Sequence, residues 1–151
     1  MANTYRLKEK LLGRFAWLGY LFQRDGGTLK RKDEAPATIH GFKAQYRFFL
    51  SKCAGSVLFF QVGRFNEFYD NQAMVALRLL GLKRIEAGRG FRARCGFPVG
   101  LERRYLRMLM RLGFPVHVVR EEKSWPSGLK KRCVAETWMP QASRDPHQHS
   151  P

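Results

Sequence analysis

The feature that most restricts the fold is the stretch from Leu58 to Leu82, LFFQVGRFNEFYDNQAMVALRLLGL. The run Val57 to Val62 has the length and apolar content of a buried strand, and Gly63-Arg64 breaks it. Phe65-Asn66-Glu67 follows, with a ring and a carboxylate separated by one residue. In an extended chain residues i and i+2 project to the same side, so Phe65 and Glu67 are presented together. Asp70 is a good N-cap for a helix. Ala73, Ala76, Leu77 and Leu80 give that helix an apolar face, and Gly81 stands where a C-cap glycine belongs.

At 151 residues, 44% hydrophobic and 13% aromatic, the chain is long and apolar enough for one folded domain. Its net charge is +16, from 28 Lys and Arg against 12 acids, which points to a polyanionic partner. Cys53, Cys95 and Cys133 lie far apart with no C-x-x-C pair, the pattern of reduced thiols in a cytoplasmic protein. The apolar run Phe15 to Phe22 is too short to span a bilayer and has charges on both sides, so neither a membrane span nor a signal peptide is expected.

Taken in order, residues 1–37 read as an appendage. Leu7, Leu11, Phe15, Leu18 and Phe22 follow helical spacing, and Lys8, Lys10 and Arg14 sit elsewhere on the wheel. Such a basic amphipathic helix packs on its own domain or, over residues 7–22, serves a protein partner. Asp25-Gly26-Gly27 ends it, and Lys30 to Pro36 makes a polar linker. A second helix is expected over about His40 to Cys53, with Phe42, Tyr46, Phe49, Leu50 and Cys53 as its stripe; Lys43 and Arg47 lie off the stripe and are read as solvated. Leu82 to Ala87 and Phe91 to Cys95 are expected to pair as a hairpin across Gly88-Arg89-Gly90. Arg89, Arg92 and Arg94 on this hairpin are candidate phosphate contacts; an ordinary exposed tip accounts for them equally well.

After Gly96-Phe97-Pro98 a helix is expected over about Leu101 to Leu112, with Leu101, Tyr105, Met108, Leu109 and Leu112 inward. Arg103, Arg107 and Arg111 recur every four residues on its outer side, where like charges repel unless an anion compensates. A solvated face and a phosphate-facing ridge both fit this row. Val116 to Val119 reads as a buried strand, Trp125-Pro126-Ser127-Gly128 as a loop, and Lys130 to Thr137 as a last strand. Residues 141–151 read as a disordered tail.

The chain lacks G-x-x-x-x-G-K-[ST], so no P-loop nucleotide site is expected. His40, His117, His147 and His149 have no Cys or carboxylate at ligand spacing, so no metal site is expected. Glu67, Asp70 and Glu86 are too sparse for a two-metal nuclease. The expectation is a binding protein without cofactor and not an enzyme.

Phe59-Phe60-Gln61-Val62-Gly63-Arg64-Phe65-Asn66-Glu67-Phe68-Tyr69-Asp70 resembles the mismatch-recognition domain at the N-terminus of the MutS family. That family's Phe-x-Glu falls on Phe65 and Glu67. The usual acidic residue before the Phe is Arg64 here, and the usual Tyr between Phe and Glu is Asn66. Gln45-Tyr46, Gly96-Phe97-Pro98, Tyr105-Leu106, Gly113 and Val116-His117-Val118-Val119 resemble further parts of the same domain, over roughly residues 38–140. The resemblance implies an α/β (α+β) fold, a small mixed β-sheet with about three to four helices around it. It also implies DNA binding at mismatched or distorted duplex, with Phe65 stacking on a mispaired base from the minor groove and Glu67 hydrogen-bonding it; on the residues alone, a core aromatic at a strand end accounts for Phe65 and a pair with a nearby Arg for Glu67. Arg64 and Asn66 flank this wedge, and Arg64 is placed to reach a phosphate. Within residues 38–140 there are 19 Lys and Arg against 7 acids, so the charge sits in the domain itself.

Three alternatives stay open. Some stand-alone proteins resembling this domain are associated with reverse transcriptases, and the basic surface suits RNA, cDNA or an RNA/DNA hybrid equally well. A protein-interaction module would use residues 7–22. A small nuclease would need carboxylates converging in one pocket.

Overall fold

Both faces of β1 (Val57–Val62) are covered, which is why its apolar residues run without alternation. Leu58 and Phe60 point to one side of the sheet, Val57 and Phe59 to the other, and all four are buried. A computed structural model of the chain describes Ala35, residues 39–124 and residues 128–141. The expected amphipathic segment 7–22, most of the 125–128 loop and all but the first residue of the tail lie outside these residues.

The elements follow the order α1 (Phe42–Lys52), β1, β2 (Phe65–Tyr69), α2 (Asp70–Leu80), β3 (Arg94–Pro98), a 3-10 turn (Val99–Leu101), α3 (Glu102–Leu112), β4 (Val116–Ser124) and β5 (Lys130–Trp138). The strands form one mixed sheet in the order β3-β2-β1-β4-β5. Only the β1–β4 pair is parallel. Among the described residues, five strands and three helices make the α+β domain that the resemblance implies.

Two aromatic cores flank the sheet. On the α1 side, Phe42, Tyr46, Phe60, Tyr69 and Phe91 meet mostly edge to face, and Tyr69 stacks on Phe91 with ring centroids 4.1 Å apart. The Tyr46 hydroxyl also lies 3.4 Å from both the N–H and the C=O of Tyr69, tying α1 to the end of β2. On the other side, Phe59, Phe68 and Phe97 pack together beneath α2 and α3, and Tyr105 of α3 lies on Phe97.

Three expectations are corrected. Residues 82–87 form no strand: a single bridge, Ile85 to Arg94, joins them to the sheet, and the strand partner of β2 begins at Arg94. Asp70 does not cap α2 through its side chain. Its backbone is left-handed (φ 49°), and its Oδ1 accepts the N–H groups of Arg92 and Ala93, pinning the 82–93 segment against the sheet. Leu101 precedes α3 and is exposed; Glu102, Leu106 and Leu109 are the residues α3 buries. The rest of the expected inward face holds: Leu109 is buried, and Tyr105, Met108 and Leu112 pack against the same core.

β3 approaches β2 closely because Gly96 lies opposite Glu67. A Cβ on Gly96 would sit 2.7 Å from the Asn66 carbonyl oxygen and 3.3 Å from the Glu67 Cα. These are backbone atoms and cannot swing away. Gly96→Ala is expected to cost about 1–3 kcal/mol by forced overpacking. In a domain of this size that lowers Tm by at least about 4 °C. An unchanged melting curve would show that the two strands can part without cost.

Candidate nucleic-acid interface

The Gly63-Arg64 turn joins β1 to β2, with Val62 paired to Phe65, Gln61 to Asn66 and Phe60 to Glu67. Gly63 takes the positive φ (60°) that a two-residue hairpin link asks of its first position. The Arg64 carbonyl accepts the Val99 N–H at 2.9 Å, which fastens the hairpin tip to the 3-10 turn before α3.

Phe65 stands at this tip and is 47% exposed, the most exposed phenylalanine among the described residues. Its two successors are held on opposite faces. Asn66 is fully buried, and its Nδ2 donates to Glu102 Oε2 at 2.6 Å. Asn66 is therefore not presented at the surface beside Phe65; it is a tie between β2 and α3. Glu102 is gripped in turn by the Arg120 guanidinium through both its oxygens, and Arg120 also reaches Glu136 at 3.3 Å.

Glu67 lies on the same face as Phe65, about 7 Å along the strand. Its carboxylate is turned inward and its side chain is only 6% exposed. Arg94 binds it in two-pronged fashion, Nη2 to Oε1 at 2.5 Å and Nε to Oε2 at 3.1 Å, and the Tyr69 hydroxyl donates to Oε2. Arg94 remains one-third exposed. Burial and the Glu67 hydrogen bond both push the Tyr69 phenol above its ordinary pKa, so it stays protonated and keeps donating. The Arg94 pKa is raised, chiefly by its hydrogen bond to Glu67.

The arginines fall into two groups. Arg89 lies with its guanidinium carbon 4.2 Å from the centre of the Phe42 ring, on the α1 side of the sheet, the side that carries Phe65, Glu67 and Arg94. Gly88, Arg89 and Gly90 all have positive φ, as a tight turn at 88–90 requires. Lys43, read from the sequence as solvated, joins this group: its Nζ donates to the Gly90 carbonyl and lies 5.1 Å from the Phe91 ring centre. Arg92 is exposed on the same segment. Arg103, Arg107 and Arg111 are exposed on α3, across the sheet. That helix starts beside the hairpin tip and runs away from it for roughly 16 Å.

Four glutamates are spent on ion pairs within the domain. Arg94, Arg120 and Arg132 pair with Glu67, Glu102, Glu136 and Glu121. Arg64, Arg103, Arg107 and Arg111 enter none of these pairs. Glu102 and Glu136 converge, but on the guanidinium of Arg120. Among the described residues no group of three or more His, Cys, Asp or Glu is placed to hold a metal ion. Burial pushes the Cys95 thiol up to about 11, so it is held as thiol rather than thiolate.

Residues 40–141 match the family model of MutS domain I. The chain belongs to the MutS domain I family. No curated protein matches it. The family match covers the whole sheet and its three helices, and with them the Phe65–Glu67 triple. No helix of this MutS domain I among the described residues is long and apolar enough to cross a membrane.

The residues that sequence reasoning missed are Tyr69, Arg120, Glu121 and Arg132. Tyr69 stands two residues after Glu67 on the same face of β2, so its spacing was a signal; the arginine partners of Glu67 and Glu102 lie 27 and 18 residues away, and no local spacing signals them. A trace existed for Arg132: it alternates with Val134 on β5, and Val134 is a core residue.

Burial raises the Glu102 pKa, but hydrogen bonds from Arg120 and Asn66 outweigh it and hold the carboxyl below its ordinary value of 4.5. A depressed carboxyl contributes stability that is complete above the unfolded value and is lost as pH falls through the folded one. Wild-type stability is thus expected to fall as pH drops below about 4.5, and Glu102→Gln, less stable at neutral pH, is expected to lose less on acidification. Melting curves from pH 7 to pH 3 check this; parallel acid limbs would show that the Glu102 pair contributes no pH-dependent stability.

Proposed function

We propose that this MutS domain I chain binds nucleic-acid duplex at a mismatch or other distortion, with Phe65 as the inserted ring. The observation that carries the reading is the contrast within one strand: Asn66, Glu67, Phe68 and Tyr69 are buried, and Phe65 alone projects. A core aromatic would be covered; a ring meant to enter a base stack must be exposed in the free protein. Inserting it costs a few kcal/mol of unstacking, and a mismatch or bulge has already lost part of that stacking.

The basic surface supplies affinity without sequence readout. Arg64 stands next to the ring, Arg89, Arg92 and Arg94 continue on the α1 side, and Arg103, Arg107 and Arg111 line α3. A duplex kinked at Phe65 would meet the two groups on either side of the hairpin. Glu67 reaches a base only if its pair with Arg94 opens. A phosphate competing for the one-third-exposed Arg94 would release the carboxylate, which suits Glu67 to discrimination rather than affinity. We further propose that this chain binds independently of ATP and does not cleave its ligand.

The test compares matched duplex, mismatched duplex, RNA–DNA hybrid and single strand at two salt concentrations. If about six phosphate contacts form, affinity falls roughly a thousandfold between 50 and 200 mM salt. Base–aromatic stacking is worth about 1–3 kcal/mol, so Phe65→Ala weakens mismatch binding roughly 5- to 150-fold and leaves matched duplex nearly unchanged. Its melting curve stays close to wild type, whereas truncating buried Phe60 costs about 3–5 kcal/mol. A flat salt response overturns the electrostatic part. Equal weakening on both duplexes leaves Phe65 a contact but ends its role in recognising distortion.

A further inference from the structure

The turn that presents Phe65 is tied to three other elements by side chains. The Gly63 N–H donates to Glu121 Oε1 at 3.0 Å, and the Gly63 carbonyl accepts from Gln61 Nε2 at 2.9 Å. The Gln61 Oε1 accepts the Glu121 N–H at 3.0 Å, so the end of β1 and the middle of β4 hold each other. Glu121 Oε1 is itself held by Arg132 Nη2 at 2.7 Å.

Arg132 is 3% exposed, and every guanidinium nitrogen has a partner. Its Nε donates to the Gln61 carbonyl at 2.9 Å and its Nη1 to Gln45 Oε1 at 2.5 Å. Gln45, on α1, closes the chain by donating to the Lys130 carbonyl at 2.9 Å. The guanidinium lies over the Phe60 ring, 4.7 Å from its centre. Helix α1 and strand β5 thus fix Arg132, Arg132 fixes Glu121, and Glu121 fixes the turn.

A buried ion pair is a poor source of stability, because desolvation offsets most of the attraction and apolar side chains of similar volume do as well. What it provides is geometry. Besides the Gln45 amide on α1, the pair's side chains bond the Gly63 N–H and the Gln61 carbonyl, backbone groups of the hairpin shortly before Phe65.

We propose that Glu121, held by Arg132, is a positioning residue for Phe65: it fixes the Gly63-Arg64 turn so that the ring meets the duplex at one angle. The proposal rests on the reading of Phe65 as the inserted ring. A tightly held ring keeps its stacking free energy, whereas a loose one gives part of it back as ordering entropy on binding.

The experiment measures mismatched-to-matched affinity ratios for Glu121→Ala, Glu121→Gln, Phe65→Ala and the Phe65→Ala/Glu121→Ala double variant. Amide exchange at Gly63 is followed in each free protein. Glu121→Ala is expected to lower the ratio at least about fivefold, to change matched-duplex affinity less than about twofold, and to speed Gly63 exchange. Glu121→Gln keeps an acceptor for both the turn and Arg132 and restores most of the ratio. The double variant loses no more than Phe65→Ala alone, because Glu121 acts through the ring. Should Glu121→Ala fail to fold, Gln61→Ala loosens the same turn without stranding the Arg132 charge and is expected to show the same loss.

An unchanged ratio in a folded Glu121→Ala or Gln61→Ala protein overturns the proposal, as does additive loss in the double variant. A wild-type protein without mismatch preference sinks the wedge reading instead. Gly63 exchange then decides the clamp alone: faster in Glu121→Ala upholds it, unchanged overturns it.

Discussion

Alternation along β2 sends Asn66 and Glu67 to opposite faces of one sheet, and each ends in a buried charged cluster. Glu102 and Arg120 receive Asn66 beneath α3. Arg94 and Tyr69 receive Glu67 on the α1 side. The strand is held from both sides directly behind its first residue. Freed of any such tie, the Phe65 ring is left at the surface on a backbone that cannot easily twist. The whole placement depends on the close approach of β3 at Gly96, since a side chain there would push away the strand that carries Arg94.

This arrangement also shapes the charge of the surface. Glu67, Glu102, Glu121 and Glu136 are taken up by Arg94, Arg120 and Arg132, and Asp70 by backbone N–H groups. Most other cations face outward. The described residues therefore present most of their excess positive charge to solvent, where it attracts a polyanion and is screened by salt. The inward pairs serve geometry; in the proposed reading the outward charges serve binding. Departures from the MutS domain I pattern fit this division: Arg64 adds a cation at the tip, and Asn66 supplies the amide that docks β2 onto Glu102.

Elements whose pattern is local were legible in the sequence. The VLFFQV run, the stripe of α1 and the αL glycines Gly81 and Gly113 each carry their signal within a few residues. The 82–87 segment misled because its apolar and basic residues fit a strand; Asp70 instead ties the following segment down and leaves only the Ile85 bridge. At the site, Phe65 and Glu67 were legible as a pair from their spacing and the family frame. The Arg94 grip on Glu67 and the Arg132–Glu121–Gly63 chain were not, because a side chain's choice among many arginines is made by tertiary contact. Of Arg94, Arg120 and Arg132, which turn inward among the described residues, only Arg132 carries a local cue, its alternation with core Val134.

The central claim is that Phe65 enters a base stack. Its most direct test places the fluorescent base 2-aminopurine beside an unpaired nucleotide in a short duplex and adds the protein. Unstacking by an inserted ring predicts a rise in 2-aminopurine emission with the wild-type chain, no rise with Phe65→Ala at saturating protein, and none with a fully matched duplex. An equal rise with both proteins, or no change when binding is complete, would contradict the account.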